Sequence, residues 1–182
     1  MARTELVRRA RDGDRDAYDV LVTESVDAMY RIARLVLRDY DRASDAVQEA
    51  LVRCWRDLPQ LRDPERFDAW LNRILVRAIT DEARRRRRDR LAALTVVPIA
   101  SHPDASAALA DRDEIGRVFG RLSVEHRTIV VLHHYLGMTA DEAASTIGIP
   151  VGTAKSRLHY ATEALRAALD ADARASAGRV LA

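Results

Sequence analysis

The stretch that decides the fold is MTADEAASTIGIPVGTAKSRLHYATEAL, residues 138–165. It predicts a short helix, a tight turn and a second helix. Thr139 stands three residues before Glu142, the spacing at which a hydroxyl caps the first turn while a carboxylate reaches back. Ala143, Ala144 and Ile147 then supply a small apolar stripe. Gly148 suits the left-handed residue that ends a helix, Ile149 packs back, and Pro150 is tolerated only where a new helix begins. The order is that of a helix-turn-helix.

At 100° per residue the second helix divides cleanly. Val151, Ala154, Leu158, Ala161, Leu165 and Leu169 gather on one side, which is expected to face inward. The opposite side carries Thr153, Ser156, Arg157 and Tyr160, flanked by Gly152, Lys155 and His159. Donors and a small residue near a helix start are what contact with base edges and phosphates requires. The second helix of such a unit can enter a DNA major groove. The bland reading is a helical hairpin with a solvated polar face, and the local pattern leaves both open.

Outside this stretch the composition favours an all-α protein. The 182 residues include only 7 glycines and 5 prolines, and aromatics make up 5%, while apolar residues recur at helical spacing. The formal net charge of +2 does not by itself argue for nucleic acid. Its distribution says more: Arg84 to Arg88 form an unbroken basic run, with acidic residues before it and around Asp111 to Glu114. Cys54 is the only cysteine, which excludes a disulfide framework and a cysteine-based metal site. The N-terminus lacks an apolar signal core and no run reaches membrane-spanning length, so a cytoplasmic location without membrane insertion is expected.

Four helices are predicted before a break. They run from roughly Thr4 to Arg11, from Asp14 to Arg38, from Ala43 to Leu58 and from Asp68 to about Arg87. The second carries Tyr18, Leu21, Val22, Met29, Ile32, Ala33 and Val36 inward. The third buries Val47, Leu51, Cys54, Trp55 and Leu58, and the fourth Trp70, Leu71, Ile74, Leu75 and Ala78. Both tryptophans are therefore expected in the core. Pro59 and Pro64 bracket a loop. After the basic run, Pro98, Pro103 and a drift to Ala, Ser and Thr suggest a linker, long by usual loop statistics. Two small helical domains joined by a flexible linker are expected: residues 1–88, a linker 89–110, a second domain 111–170 and a tail 171–182. The second domain should begin with helices at Glu114 to Leu122 and Ser123 to Leu136.

The order of motifs resembles the extracytoplasmic-function group of bacterial sigma-70-type sigma factors, the promoter-specificity subunits of RNA polymerase. DRASDAVQEALVRCW (41–55) is similar to region 2.2 and FDAWLNRILVRAITDEARRRRR (67–88) to regions 2.3 and 2.4. Residues 121–165 resemble region 4, with Gly152 to Leu158 the most specific run. The likeness spans about residue 10 to 169.

Each set also has its own physical reading. Asp45, Gln48, Glu49, Val52 and Arg56 share a face of the third helix that the core does not use, and such a face suits a partner helix with basic residues. The resemblance implies docking on the clamp helices of the polymerase's largest subunit, with the flap as a further contact. On the fourth helix Asn72, Arg73, Arg77, Thr80 and Arg84 lie on one side. Cations there can neutralise phosphates, and the polar stripe can hold single-stranded bases. The resemblance implies minus-10 recognition by this helix and by Arg62, Asp63 and Glu65 of the preceding loop, with one base flipped from the duplex. It implies minus-35 recognition by Gly152, Thr153, Lys155, Ser156, Arg157, His159 and Tyr160, and regulation by an anti-sigma factor. The family often has Asn in place of Arg77 and Arg in place of Tyr160, so base preference is expected to differ there.

A rival reading is an autonomous helix-turn-helix regulator with a dimerisation or ligand domain in front. A helical enzyme is a third. His133 and His134 are its obvious candidates, but adjacent residues point about 100° apart on a helix, with no partner cysteine or carboxylate motif. No catalytic role, metal or cofactor is expected.

Overall fold

The computed structural model describes residues 2–93 and 119–180, without side chains at 90–93 and 172–180. The expected linker from residue 94 onward, the acidic cluster Asp111–Glu114 and most of the helix expected from Glu114 lie outside the described residues. Every regular element among those described is helical, and the chain divides into two compact units, Met1–Pro98 and Ile99–Ala182.

The first unit is built from α1 (Arg3–Arg11), α2 (Arg15–Leu37), α3 (Tyr40–Asp57) and α4 (Phe67–Ala93). Gly13, at φ 97°, turns the chain between α1 and α2. Asp14 then caps α2 by accepting from the Ala17 amide at 3.1 Å, and Arg9 grips its other oxygen at 2.6 Å. The Ala17 amide and the Arg9 guanidinium hold the Asp14 carboxyl below its ordinary range. Arg38 ends α2 in the left-handed region, at φ 54°. Asp39 caps α3, accepting from the Arg42 amide at 3.2 Å, so the helix begins at Tyr40, three residues before the expected Ala43.

Between α3 and α4 two short 3₁₀ turns, Leu58–Gln60 and Pro64–Arg66, replace a plain loop. Leu58, Leu61 and Phe67 are buried and pin the segment down. Its polar residues are thereby held outward. α4 extends past the expected Arg87 to Ala93.

Two ion-pair links fasten α3 along α4. Arg42 donates from Nε to Glu82 Oε1 at 3.0 Å and from Nη2 to the Glu82 carbonyl at 3.0 Å, with both side chains largely shielded from water. Further along, Arg53 reaches Asp81 at 3.0 Å. At the other edge Arg3 ties α1 to Ser25 on α2 and Asp68 on α4, at 2.8 and 2.9 Å.

The core of this unit holds Leu21, Met29, Ile32, Val36, Val47, Leu58, Leu75 and Ile79. The inward side of α3 is narrower than expected: Ala43, Ala46, Val47, Ala50 and Cys54 are its buried residues. Small side chains let α2 and α4 approach closely. The expectation that both tryptophans sit in the core is not met. Trp55 is 37% exposed, and Trp70 is half-buried. Trp55 lies on the rim, where its ring meets that of Tyr18 edge-on at 4.8 Å. Trp55→Ala should therefore destabilise this unit by only about 1–2 kcal/mol, well short of the 3–5 of a core tryptophan. Urea titration followed by Trp70 emission would check this.

The second unit, where described, contains α5 (Val124–Val130), α6 (Ala140–Ile147) and α7 (Val151–Val180). Ser123 caps α5 as expected, accepting from the His126 amide at 3.2 Å. The single helix expected to Leu136 instead widens into a π turn over Val131–Tyr135, where Leu136 N–H bonds back to the Val131 carbonyl at 3.0 Å. Ile129 and Leu132 are fully buried. α7 packs on both α5 and α6 through Ala154 and Ala161, each with no exposed surface. Val151 and Leu169, expected inward, are 36% and 38% exposed. The alanine seam rotates the helix so that these two fall at its margins, and α7 continues about sixteen Å past Leu169.

Candidate nucleic-acid interface

The helix-turn-helix forms as its residues dictate. Thr139 Oγ1 accepts from the Glu142 amide at 3.2 Å and Glu142 Oε2 accepts from the Thr139 amide at 2.8 Å. The Thr139 amide and hydroxyl hold the Glu142 carboxyl below its ordinary range. Because the folded value is depressed, this support is complete above the unfolded glutamate range. It is lost as the pH falls through the folded value, below the ordinary glutamate range. Thr139→Ala should destabilise the second unit by about 1 kcal/mol at neutral pH, and the wild-type advantage should shrink in thermal melts at acid pH.

Gly148 ends α6 at φ 75° and ψ 45°. The amides of Gly148 and Ile149 both bond to the Ala144 carbonyl, at 2.9 and 3.1 Å. A Cβ at Gly148 meets nothing within 4 Å, so the turn calls for glycine through its backbone angle alone. α7 opens at Val151, with the Ala154 amide bonded to the Pro150 carbonyl at 3.1 Å. Along its outer side Gly152, Lys155, Ser156, His159 and Tyr160 are exposed, and Thr153 and Arg157 are half-buried. Ser156 Oγ donates to the Thr153 carbonyl at 3.0 Å. Tyr160 is 66% exposed, beside the His159 ring at 5.7 Å. The first three turns therefore present donors, an imidazole and a phenol to solvent on a rigid rod.

In the first unit, Arg62, Asp63 and Arg73 meet around one open hollow of about 320 Å³. Trp70 and Arg66 also line it, and neither was singled out from the sequence as a contact. Trp70 is placed there because Phe67, one turn earlier, takes the buried position, its ring 6.1 Å away. Asp63 also caps the short turn, accepting from the Glu65 amide at 3.0 Å. An aromatic ring among guanidinium groups suits an unstacked base and its phosphate.

Further along α4, Arg77 and Arg84 are exposed and Asn72 and Thr80 half-buried. The Thr80 hydroxyl donates to the Arg77 carbonyl at 2.9 Å. From Arg73 to Arg84 the stripe spans about 16 Å of helix. Beyond it a second hollow is lined by Asp81, Arg84, Arg85, Arg87 and Arg88. Arg85 and Arg86 lie near Glu82 and Asp39, at 3.8 and 3.6 Å.

On α3, Asp45 and Gln48 are exposed, and Val52 is 63% exposed. Glu49 accepts from Arg53 at 2.7 Å, and Arg56 pairs with Asp57 at 2.8 Å. This face carries two carboxylates, an amide and an unpartnered valine, continuous with Trp55. Cys54 lies behind it, and burial pushes its thiol up to about 11. Among the described residues no three metal-ligating side chains cluster and no helix is long and apolar enough to cross a membrane. His133 points its Nδ1 at the Met138 carbonyl, 2.7 Å away, which fixes the loop before α6.

These features define a helical protein with one surface suited to unstacked nucleic acid, a second suited to a duplex groove, and an exposed α3 face of two carboxylates, an amide and a valine. Comparison with known proteins gives the family. Residues 21–89 match the sigma-70 region 2 model and residues 112–165 the sigma-70 region 4 model. The chain is 36% identical over 153 residues to the ECF RNA polymerase sigma factor SigL of Mycobacterium tuberculosis, covering 82% of this chain and 86% of that protein. Among solved structures, CnrH in complex with the cytosolic domain of CnrY superposes with a TM-score of 0.62 at 30% identity, covering 94% of this chain and 99% of that one. The sigma factor RpoE of Bartonella quintana, in complex with the anti-sigma factor NepR, gives 0.65 at 25% identity, over 85% and 98%. The chain belongs to the extracytoplasmic-function group of the sigma-70 family and is an RNA polymerase sigma factor.

Proposed function

We propose that the parts divide the work of promoter-specific initiation as follows. Residues 1–88 bind core polymerase through Asp45, Gln48, Glu49, Val52 and Arg56 and engage melted minus-10 DNA. Arg62, Asp63, Glu65, Asn72, Arg73, Arg77, Thr80 and Arg84 make those DNA contacts. Residues 89–110 connect the two halves. Residues 111–170 place the start of α7 in the minus-35 major groove through Gly152, Thr153, Lys155, Ser156, Arg157, His159 and Tyr160, with residues 171–182 as a tail. The reaction chemistry belongs to the polymerase and the protein acts in the cytoplasm, without enzymatic activity of its own. An anti-sigma partner covering the α3 face would switch it off.

The observation that carries this reading is the joining of an aromatic hollow at Trp70 to an arginine stripe on α4. Stacking on an aromatic ring contributes about 1–3 kcal/mol per base and needs an unstacked strand. A duplex reader such as α7 has no use for it. The modest net charge of +2 fits a protein whose DNA affinity is shared with a large partner.

Run-off transcription with purified core polymerase on a panel of promoter fragments tests the reading. Specific transcripts should require both core enzyme and this protein. Tight sequence-specific binding without polymerase, and no transcript with it, would favour an autonomous regulator instead.

A further inference from the structure

The two surfaces of the first unit are joined by an unbroken series of alternating charges. Glu49 on the α3 face accepts from Arg53 Nε at 2.7 Å. The same guanidinium donates from Nη1 to Asp81 Oδ2 on α4 at 3.0 Å. The other oxygen of Asp81 lies 3.9 Å from Arg84 Nη1. Arg53 is the most shielded member, its side chain 23% exposed against 44%, 40% and 64% for Glu49, Asp81 and Arg84. Glu49 stands in the docking set and Arg84 in the DNA set, whereas Arg53 and Asp81 stand in neither.

We propose that Arg53 and Asp81 are positioning residues that couple the polymerase-docking face to the minus-10 stripe. A cation of the partner arriving at Glu49 competes with Arg53 for that carboxylate. Arg53 then gives more of its charge to Asp81, Asp81 holds Arg84 less firmly, and Arg84 is freer to meet a phosphate. By linkage the reverse also holds: DNA that draws Arg84 away leaves Asp81 to Arg53 and frees Glu49 for the partner. The two ligands of the protein thus favour each other without a change of fold. Partly exposed pairs of this kind set the scale at a few-fold, and salt should weaken the effect.

The inference rests on the docking and DNA roles proposed above, so the test separates the two. Affinity of the full chain for a short fluorescein-labelled random-sequence single-stranded oligonucleotide is measured by anisotropy at low salt. Glu49→Gln releases Arg53 as a docked cation would, and should raise affinity about three- to five-fold. Asp41→Asn, an exposed carboxylate on the same helix outside the series, changes net charge equally and should raise it far less. In an Arg53→Gln background the Glu49→Gln gain should shrink to that of Asp41→Asn. Circular dichroism and the urea midpoint of each variant should match the unaltered chain, so that a gain is not read from an unfolded Arg84–Arg88 run. Equal gains for Glu49→Gln and Asp41→Asn, or a gain that survives Arg53→Gln, would overturn the coupling while leaving the surface assignments standing. If Arg84→Ala leaves affinity unchanged, the DNA role of Arg84 fails and the coupling falls with it.

Discussion

Arg42→Ala should destabilise the first unit by about 2–3 kcal/mol. Arg42 is 13% exposed and its partner Glu82 16%, so truncation leaves a carboxylate shielded from water with its closest cation gone. It also removes the hydrogen bond that Arg42 Nη2 donates to the Glu82 carbonyl at 3.0 Å. The penalty stays below that of a fully buried pair because Arg85 remains 3.8 Å from the other Glu82 oxygen. Both tryptophans of the chain, Trp55 and Trp70, lie in this unit, so their emission reports its unfolding alone. The urea midpoint should fall by about 1 M or more. Arg31→Ala, which removes an exposed arginine from α2, should leave it nearly in place. Arg42→Met with Glu82→Gln should recover much of the loss, because the unpaired charge is then gone. Equal shifts for Arg42→Ala and Arg31→Ala would mean that the pair is as well solvated as any on the surface.

The second large effect concerns α7. Removing Lys155 and Arg157 together should lower promoter-specific transcription about 100-fold, at roughly 1–3 kcal/mol for each base or phosphate contact. Core polymerase binding should not change. Lys155 is exposed and Arg157 half-buried, and neither forms an ion pair among the described residues, so the unit should keep its fold. Competition against unaltered protein for limiting core enzyme separates the two readouts. Equal loss of transcription and of core binding would count against a role for α7 in reading DNA. Arg157→Ala alone should show the same split at smaller amplitude.

Much of this was legible in the residues because local chemistry settled it. The capping box at Thr139 and Glu142 and the Gly148 turn form as their side chains and backbone preferences require, whatever surrounds them. So does the helix start at Asp14. What failed depended on neighbours. Trp55 and Leu51 lie on the apolar stripe of α3, but the close approach of α2 and α4 selects Ala43, Ala46 and Ala50 as the inward face. The large residues are displaced to the rim. The same holds on α7, where Ala154 and Ala161 form the buried seam and Val151 and Leu169 do not. Weighting by side-chain size misplaces a face whose contacts are made by alanine.

Other features left no trace in the sequence. The π turn at Val131–Tyr135 contains neither glycine nor proline, and its register follows from the bonds that close behind it. Arg38 takes a left-handed conformation that glycine would more readily signal. The hollow at Trp70 depended on the two short turns that fold Arg62 and Asp63 back beside α4.

The alanine seam of α7 has a further meaning for how such a protein can diverge. Ala154 and Ala161 have no exposed surface, so a larger side chain at either would push the helix off its supports. Lys155, Ser156, His159 and Tyr160 touch little but solvent, and exchanges there should alter folding free energy by less than about 0.5 kcal/mol. The positions that can vary at little cost to folding are thus the ones proposed above to face the groove, and those that hold the helix in place are closed to change. On that reading a lineage can change its promoter preference step by step, without first acquiring a more stable scaffold.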